Sequence, residues 1–318
     1  MKNFLRAAWP VMAMYCLITA TGCQKGLTTL TPETTNSSSD ASSPFVPSAT
    51  GREAAEANYQ QNYLGSAVTS IGWTGSVENA DAGTTPDSLK QRVLQRVNYF
   101  RSLCGLPVTT LNNEYSFKAQ QAALMMTAND ALNHNHPSTW KCFTTGGQLA
   151  AANSNLSLGV SGPDAIDAYI QDEAVSALGH RRWVLFPPLN QVGTGDTDNA
   201  NALYVIGAFG TRPSVDFTAY PGNGYIPAPL VYDTWSFSIS AADFTDATVK
   251  VSDAAGVNYP VNLSILPVGY GDNTISWSFN SNPVTGLTKD QQLNVTVSGV
   301  KVSGQTKSYQ YAVYVFVP

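Results

Sequence analysis

The spacing of apolar residues changes near residue 212, and this change divides the chain into two regions of different fold. Before it, apolar residues such as Leu89, Val93 and Val97 recur every three or four positions, which is typical of amphipathic helices. After it, apolar and polar residues alternate in short runs, as in Trp235-Ser-Phe237, and Gly, Pro, Asn and Asp separate the runs. We therefore predict a mixed region of helices and strands followed by an all-β region.

Boundary signals place the helices of the first region. The first main helix is predicted to begin with Thr85 as N-cap and Pro86 in its first turn, and to end before Gly105. The other predicted elements are a helix from Asn113 to Leu132, a helix opening at Gly162, a short helix over 179–188 and a strand over 203–209.

The second region carries alternating apolar residues at short, regular intervals. Its predicted strands lie at 235–239, 249–251, 259–265, 275–279, 293–297 and 309–317. No helical pattern intervenes. We expect an antiparallel sandwich of about 95 residues that is immunoglobulin-like in outline.

The first residues of the chain carry an export signal. Lys2 and Arg6 precede an apolar stretch, 7–18, that is too short to span a bilayer. Small residues then precede Cys23, an arrangement that resembles the lipobox of bacterial lipoproteins. We predict a signal peptide over 1–22, lipid on Cys23 and anchoring to a membrane of the cell envelope. The alternative is an ordinary secretory signal with an accidental thiol at Cys23.

A segment rich in Ser, Thr and Pro follows the lipidated cysteine. It cannot bury enough apolar surface to order itself, so residues 23–52 are predicted to be a flexible tether. Beyond it we expect a first domain over 53–215, which begins with a helical extension near 54–68, and a second domain over 220–318. Gln24 offers no cue for retention in the inner membrane, so the outer membrane or the cell surface is expected.

The net charge restricts the possible binding partners, and the number of cysteines indicates a possible disulfide. Loss of Lys2 and Arg6 with the signal takes the formal charge from −5 to −7, which argues against nucleic acid as a partner. With the signal removed and Cys23 lipidated, Cys104 and Cys142 remain. In an oxidising compartment they are expected to form a disulfide, and two free buried thiols are the alternative.

Several motifs of the first region resemble one family when they are taken in order. The run 96–101 followed by Gly105-Leu106-Pro107 resembles the first helix of the CAP superfamily, also called SCP/TAPS, of cysteine-rich secretory, antigen 5 and pathogenesis-related proteins. The other matching motifs are residues 119–123, 132–134, 179–182 and 192–195. The resemblance covers about residues 89–209 and implies an α-β-α sandwich.

The resemblance also implies a site. In many CAP domains two histidines and two acids meet in a central cleft and can hold a divalent metal. Here His134 and His180 match the histidines, and Asp172 lies near the position of one acid, with Glu173 as its substitute. Gln148 stands where the second acid, a glutamate, is expected. An amide carries no charge and is a poorer zinc ligand than a carboxylate.

Two interpretations of these histidines stay open. They hold zinc together with Asp172 and an open position, or they are hydrogen-bonded and shape a metal-free cleft. His136, predicted to be a surface loop residue, is the substitute for His134. The pair Arg181-Arg182 is predicted to bind nearby acids or to lie at the surface, and an anionic ligand is the alternative.

The sequence lacks common catalytic motifs. It contains no Gly-x-Ser-x-Gly elbow, no His-Glu-x-x-His zinc motif and no glycine-rich phosphate loop before a helix. The resemblance to CAP domains, which chiefly bind sterols, lipids or proteins outside the cell, implies a surface-tethered, non-catalytic binding module that needs no cofactor. Its ligand would be a lipid or sterol-like molecule, another small molecule or an extracellular protein. One alternative is a peptidase-like, metal-dependent hydrolase that uses His134, His180 and Asp172. A purely structural protein of the cell envelope is a further alternative.

Overall fold

The structure, a computed structural model, describes residues 49–173 and 175–318 of the chain. The predicted signal peptide 1–22 and Cys23 lie outside the described residues, as does most of the tether predicted over 23–52. The described residues belong to one unit, Asp40–Pro318. Within this part of the chain, no helix has both the length and the hydrophobicity needed to cross a bilayer.

The helices precede most of the strands. They are α1 (Ala49–Asn58), α2 (Asp87–Leu103), α3 (Asn113–Asn129), α4 (Thr145–Ala152), α5 (Pro163–Gln171) and α6 (Gly179–Val184). A π-helical turn and a 3₁₀ turn, Tyr59–Tyr63 and Leu64–Ser66, extend α1 in the place of the predicted helical extension.

The helix ends differ in detail from the predicted ones. Pro86 rather than Thr85 occupies the N-cap of α2, and the Thr85 hydroxyl is buried without a hydrogen-bond partner, so the capping role predicted for Thr85 is wrong. Asn112 caps α3, because its side chain accepts a hydrogen bond from the Tyr115 N–H at 3.0 Å. The helix ends before Leu132 because Asp130 takes a left-handed conformation with φ 45°.

A four-stranded sheet forms the middle of the first region. Its strands are β1 (Thr110–Leu111), β2 (Ser154–Leu158), β3 (Gln191–Asp196) and β4 (Ala200–Tyr204), in the order β1-β3-β4-β2. The strand predicted over 203–209 is shifted, because the pairing with β2 and β3 ends at Tyr204. A Cβ on Gly195 would lie 2.1 Å from the Gln120 nitrogen, so the glycine lets α3 pack directly on the sheet.

The two faces of this sheet are covered by different helices. On one face Ala119, Ala122 and Ala123 of α3 join a buried cluster with residues of α4, β2 and β4. On the other face Val192 and Leu203 join a second cluster that contains apolar residues of α2 and α5. The predicted α-β-α sandwich is therefore confirmed.

The last hundred residues form the predicted β-rich region (218–316). Its strands are β5 (Thr218–Tyr220), β6 (Gly224–Pro227), β7 (Trp235–Ile239), β8 (Thr248–Asp253), β9 (Asn258–Tyr259), β10 (Val261–Ile265), β11 (Asn273–Phe279), β12 (Gln291–Val302) and β13 (Gln305–Phe316). They form one sheet in the order β10-β11-β7-β5 and a second in the order β6-β13-β12-β8-β9, and all pairs are antiparallel except β6–β13.

Aromatic side chains join the two sheets of the β-rich region and connect them to the helices. Phe237 of β7 lies 5.5 Å from Tyr309 of β13 between ring centroids, across the sandwich. Phe100 of α2 lies 6.2 Å from Tyr220 of β5, and all four residues belong to one buried cluster. A single core thus runs from the first region into the β-rich region. The predicted domain boundary between 215 and 220 stays a prediction.

The two remaining cysteines do not form the predicted disulfide. Both are free, and they lie in different surroundings. Cys104 follows α2 and packs against the large core, where burial raises the pKa of its thiol to about 12. Cys142 lies in the loop before α4, and its thiol donates to the carbonyl of Val77 at 3.5 Å. The prediction is wrong because it rested on compartment and cysteine number alone.

Candidate functional site

A buried carboxylate orients the imidazole of His180. Asp172, directly after α5, and Leu178, directly before α6, both take left-handed conformations, with φ 50° and 48°. These two turns bring Asp172 back to α6, where it accepts hydrogen bonds from His180 Nδ1 at 2.8 Å and from the Arg181 N–H at 3.2 Å. The Asp172 side chain is 1% exposed and that of His180 21%. Asp172 therefore fixes the orientation of the His180 ring.

The second predicted histidine lies beside the first. His134 follows α3, and its Nδ1 lies 3.0 Å from the carbonyl oxygen of Ala151 in the last turn of α4. The ring centroids of His134 and His180 are 6.4 Å apart. The structure thus brings together His134, His180 and Asp172, although the two histidines are 46 positions apart in the sequence.

The partners of the two rings determine their tautomers. A carbonyl oxygen only accepts hydrogen bonds, so Nδ1 of His134 must carry the proton. The carboxylate of Asp172, as an acceptor, places the same requirement on Nδ1 of His180. In a neutral imidazole the other nitrogen is then an acceptor, and neither Nε2 hydrogen-bonds to another described residue. Each neutral ring thus keeps one acceptor nitrogen that no described residue binds.

A cavity of about 370 Å³ adjoins His180. Leu156 and Val175 supply apolar walls, and the ring of Tyr169 lies 5.2 Å from that of His180. The Tyr169 hydroxyl already donates to Asn201 Oδ1 at 2.8 Å, so Tyr169 lines the cavity with its ring and not with a free hydroxyl. This volume lies within the usual ~300–1,000 Å³ of small-molecule sites.

His136 is buried, and the prediction that it lies at the surface is wrong. The residue is 0% exposed, and both ring nitrogens lack a hydrogen-bond partner in the described structure. Its ring lies 4.5 Å from that of Trp140, between centroids. Burial, with a smaller effect of His134, lowers the pKa of His136 to about 4, so the ring is neutral at pH 7. The polar sequence around His136 gave no signal of this burial.

Gln148 supports the loop of the histidines. The side-chain amide of Gln148, on α4, donates to the carbonyl oxygen of His136 at 2.8 Å and to Asn135 Oδ1 at 3.3 Å. A glutamate could not donate these bonds. The amide therefore fits a positioning role here better than the role of a metal ligand.

The donor set does not fit a resident metal ion. Both histidines have the Nδ1 partners that metal-binding histidines use, but such sites need three or four protein ligands. Asp172 already binds His180 and Arg181, and Glu173 is exposed and accepts from Gln171 at 3.2 Å. In residues 49–173 and 175–318, no three His, Cys, Asp or Glu side chains are placed to hold a metal.

The two arginines after His180 bind backbone carbonyls, contrary to prediction. Arg181 is fully buried and donates to the carbonyl of Thr234 at 2.7 Å. Arg182 is 5% exposed and donates to the carbonyls of Pro267 and Asp272 at 2.8 and 2.9 Å. The three carbonyls belong to the β-rich region, which therefore fixes the helix that carries His180. No local pattern could have indicated acceptors more than fifty positions away.

A third buried arginine closes the turn after α6. Arg101 of α2 donates to the carbonyls of Val184 and Phe186 at 2.9 Å each, and to that of Leu189 at 3.0 Å. Burial lowers the pKa of Arg101 to about 10, so it stays charged at neutral pH. Both ends of α6 are thus held by buried guanidinium groups.

Fold and site together define a class: an α-β-α sandwich in which two histidines lie side by side and one of them, His180, lines an open cavity. Residues 94–209 match the family described as CAP, the cysteine-rich secretory protein family. These residues, a little over a third of the chain, form a CAP domain. The family assignment made from the sequence motifs is thereby confirmed. No curated protein matches the chain.

Two solved structures are similar to parts of the chain. One is an extracellular protein containing an SCP domain from Bacillus anthracis strain Ames, with 18% identity and a TM-score of 0.30. It covers 37% of this chain, and this chain covers 42% of it, less than half of its length. The other is a DUF4426 family protein from Pseudomonas aeruginosa PAO1, with 13% identity, coverage of 27% and 74%, and a TM-score of 0.19.

Proposed function

We propose that this protein is an extracytoplasmic, lipid-anchored CAP-domain protein that binds a small amphiphilic ligand beside His180 without transforming it. The ligand carries a hydrogen-bond donor, a hydroxyl or an ammonium group, on an apolar body. Export and anchoring rest on the signal sequence and the lipobox-like run that ends at Cys23.

One observation carries the ligand chemistry. Because Nδ1 of His134 and Nδ1 of His180 both donate to protein oxygens, the remaining Nε2 atoms are acceptors. A hydroxyl or an ammonium group satisfies them, whereas a carboxylate has no proton to offer. The nearby carboxylates of Asp172 and Glu173 further favour a neutral or cationic head group over an anionic one.

The rest of the cavity suits the apolar body of such a ligand. Leu156, Val175 and the ring of Tyr169 line it. Because no third protein ligand joins the imidazoles among the described residues, we derive no metal-assisted hydrolysis at this site.

The three histidines make a direct test practicable. Full-length protein in nanodiscs, labelled with ¹⁵N-histidine, should give three imidazole spin systems in long-range ¹H–¹⁵N spectra. At pH 8 the signals of His134 and His180 should show the Nδ1–H tautomer. Titration with hexanol, hexylamine and hexanoate, which share one chain length, then compares head groups. Hexanol or hexylamine should shift Nε2 of both histidines, and hexanoate should not.

Matched variants assign the effect to the cleft. His180→Gln and His134→Gln should each weaken binding about tenfold, whereas Glu173→Gln changes an exposed carboxylate next to Asp172 and should keep binding of the neutral hexanol. Equal or stronger binding of hexanoate would refute the proposed ligand chemistry. Failure of all three probes to shift both rings would refute the binding site itself.

A further inference from the structure

A second and larger cavity lies between α2 and α3. Its volume is about 810 Å³, and it shares no lining residue with the cavity beside His180. We name it the α2–α3 groove. The residues that matter for its chemistry are Asp87, Lys90, Gln91, Leu111, Asn113 and Phe117.

The walls of the α2–α3 groove are polar but carry no unbalanced charge. Lys90 Nζ lies 3.0 Å from Asp87 Oδ1, so the cation and the anion in the lining neutralise each other. The side-chain amides of Gln91 on α2 and Asn113 on α3 have no hydrogen-bond partner among the described residues. Both amides can donate and accept at once.

An aromatic ring stands free in the same groove. Phe117 of α3 is 68% exposed although it is a large apolar residue. A pyranose ring offers an apolar C–H face to an aromatic ring and hydroxyl groups to amides. Phe117 and two free amides in the same lining match that combination.

One feature argues against a peptide at the edge of the first sheet. Strand β1 is at that edge, where an extended peptide could add as a strand. However, Asn98 already binds the main chain directly before β1: its Nδ2 donates to the Thr109 carbonyl at 3.0 Å, and its Oδ1 accepts from the Thr109 N–H at 2.7 Å. A peptide strand added here would therefore find the main-chain groups of Thr109 already paired.

Hydrogen bonds also fix the shape of the groove in the absence of a ligand. Gln120 of α3 donates to the carbonyls of Ala82 and Asp196 at 3.2 and 2.8 Å, and it accepts from the Asp196 N–H at 3.1 Å. These bonds fix the segment before α2 and the end of β3 against α3. A preformed groove loses less entropy when it binds a ligand.

We propose that the α2–α3 groove is a binding site for a neutral oligosaccharide. Phe117 stacks on a sugar ring, Gln91 and Asn113 bind its hydroxyl groups, and the pair Lys90–Asp87 leaves no net charge to recruit an acidic glycan. This site is independent of the proposed ligand beside His180.

The test is a titration of the full-length protein in nanodiscs with maltohexaose, cellohexaose and chitohexaose by isothermal calorimetry. At least one should bind, and Phe117→Ala should weaken it about tenfold or more, as for other aromatic anchors. Gln91→Ala should weaken it in the same direction. Val108→Ala, which removes another exposed apolar side chain (69%) outside the groove lining, should not.

Two further binding measurements test whether the site is independent of His180 and prefers neutral oligosaccharides. His180→Gln should leave oligosaccharide binding unchanged, which separates this inference from the proposed function. A charged hexamer, oligogalacturonate, should bind more weakly than the best neutral probe. The proposal is overturned if no neutral hexamer binds at about 1 mM, if Phe117→Ala binds as the parent protein does, or if oligogalacturonate binds best.

Discussion

Replacing Asp172 with asparagine should change the tautomer of His180 and not merely weaken the fold. The carboxylate accepts two hydrogen bonds, from His180 Nδ1 and from the Arg181 N–H. An asparagine has one acceptor atom, so its NH₂ group must face one of these donors. The simplest relief is a shift of the His180 proton to Nε2, after which the asparagine donates to Nδ1.

The structure sets the size of the accompanying destabilisation. The Asp172 side chain is 1% exposed, so water cannot replace a lost partner. Loss of one charge-assisted hydrogen bond at such a site should lower the free energy of unfolding by about 1–3 kcal/mol. The backbone adds no further cost, because asparagine tolerates the left-handed conformation with φ 50° that residue 172 adopts.

Two measurements check this prediction. Urea unfolding followed by tryptophan fluorescence gives the loss of stability, and ¹⁵N-histidine spectra give the tautomer. With Nε2 converted to a donor, hexylamine binding should fall about tenfold, because an ammonium group can only donate hydrogen bonds. Glu173→Gln is the control and should stay within roughly 0.5 kcal/mol of the parent protein. If Asp172→Asn keeps the Nδ1–H tautomer at His180, the acceptor geometry inferred for the cleft is wrong.

Three further predictions follow from packing, burial and thiol state. Gly195→Ala places a methyl group 2.1 Å from the Gln120 nitrogen and should lower the free energy of unfolding by about 3 kcal/mol or more, measured by urea denaturation. The folded state keeps the pKa of His136 near 4 against 6.5 for the free group, so the unfolded state binds more protons between these values and stability falls as the pH drops through this window. Between pH 6.5 and about pH 5 the parent protein should therefore lose about 2 kcal/mol of its free energy of unfolding, and His136→Phe should not. If the variant has the same pH profile as the parent protein, the burial of this ring is contradicted. Thiol titration in denaturant should detect both Cys104 and Cys142 without reduction, whereas in the native protein Cys142 should react faster because burial raises the pKa of the Cys104 thiol to about 12; a zero titre before reduction would restore the disulfide.

Local patterns in the sequence predicted the architecture well. The change of apolar period near residue 212 separates helices from strands as the structure does, and the alternating run from Trp235 to Ile239 is strand β7 itself. The Ala-rich face of α3 is buried as expected. These signals succeed because period and side-chain size are fixed by the element and the layer against which it packs.

Contacts between distant residues could not be predicted in this way. Helix α4 contains Thr145, two glycines and five residues of weak amphipathic character, so it lacks a clear helical period. The burial of His136 and the carbonyl partners of Arg181 depend on segments that meet only after folding. The proximity of His134 and His180 was accessible through the family resemblance alone, since no spacing rule connects them.

Helix α6 depends on the β-rich region in a way that has a consequence for how this chain can diverge. The guanidinium groups of Arg181 and Arg182 donate hydrogen bonds to main-chain oxygens of Thr234, Pro267 and Asp272, and these bonds do not depend on the side chains of the three residues. Every amino acid supplies such an oxygen, so the loops that contain these three residues can change in sequence without loss of the hydrogen bonds to α6. Excision of the segment 94–209 would remove these carbonyl acceptors from both guanidinium groups. We therefore expect that the isolated segment would not keep the orientation of His180.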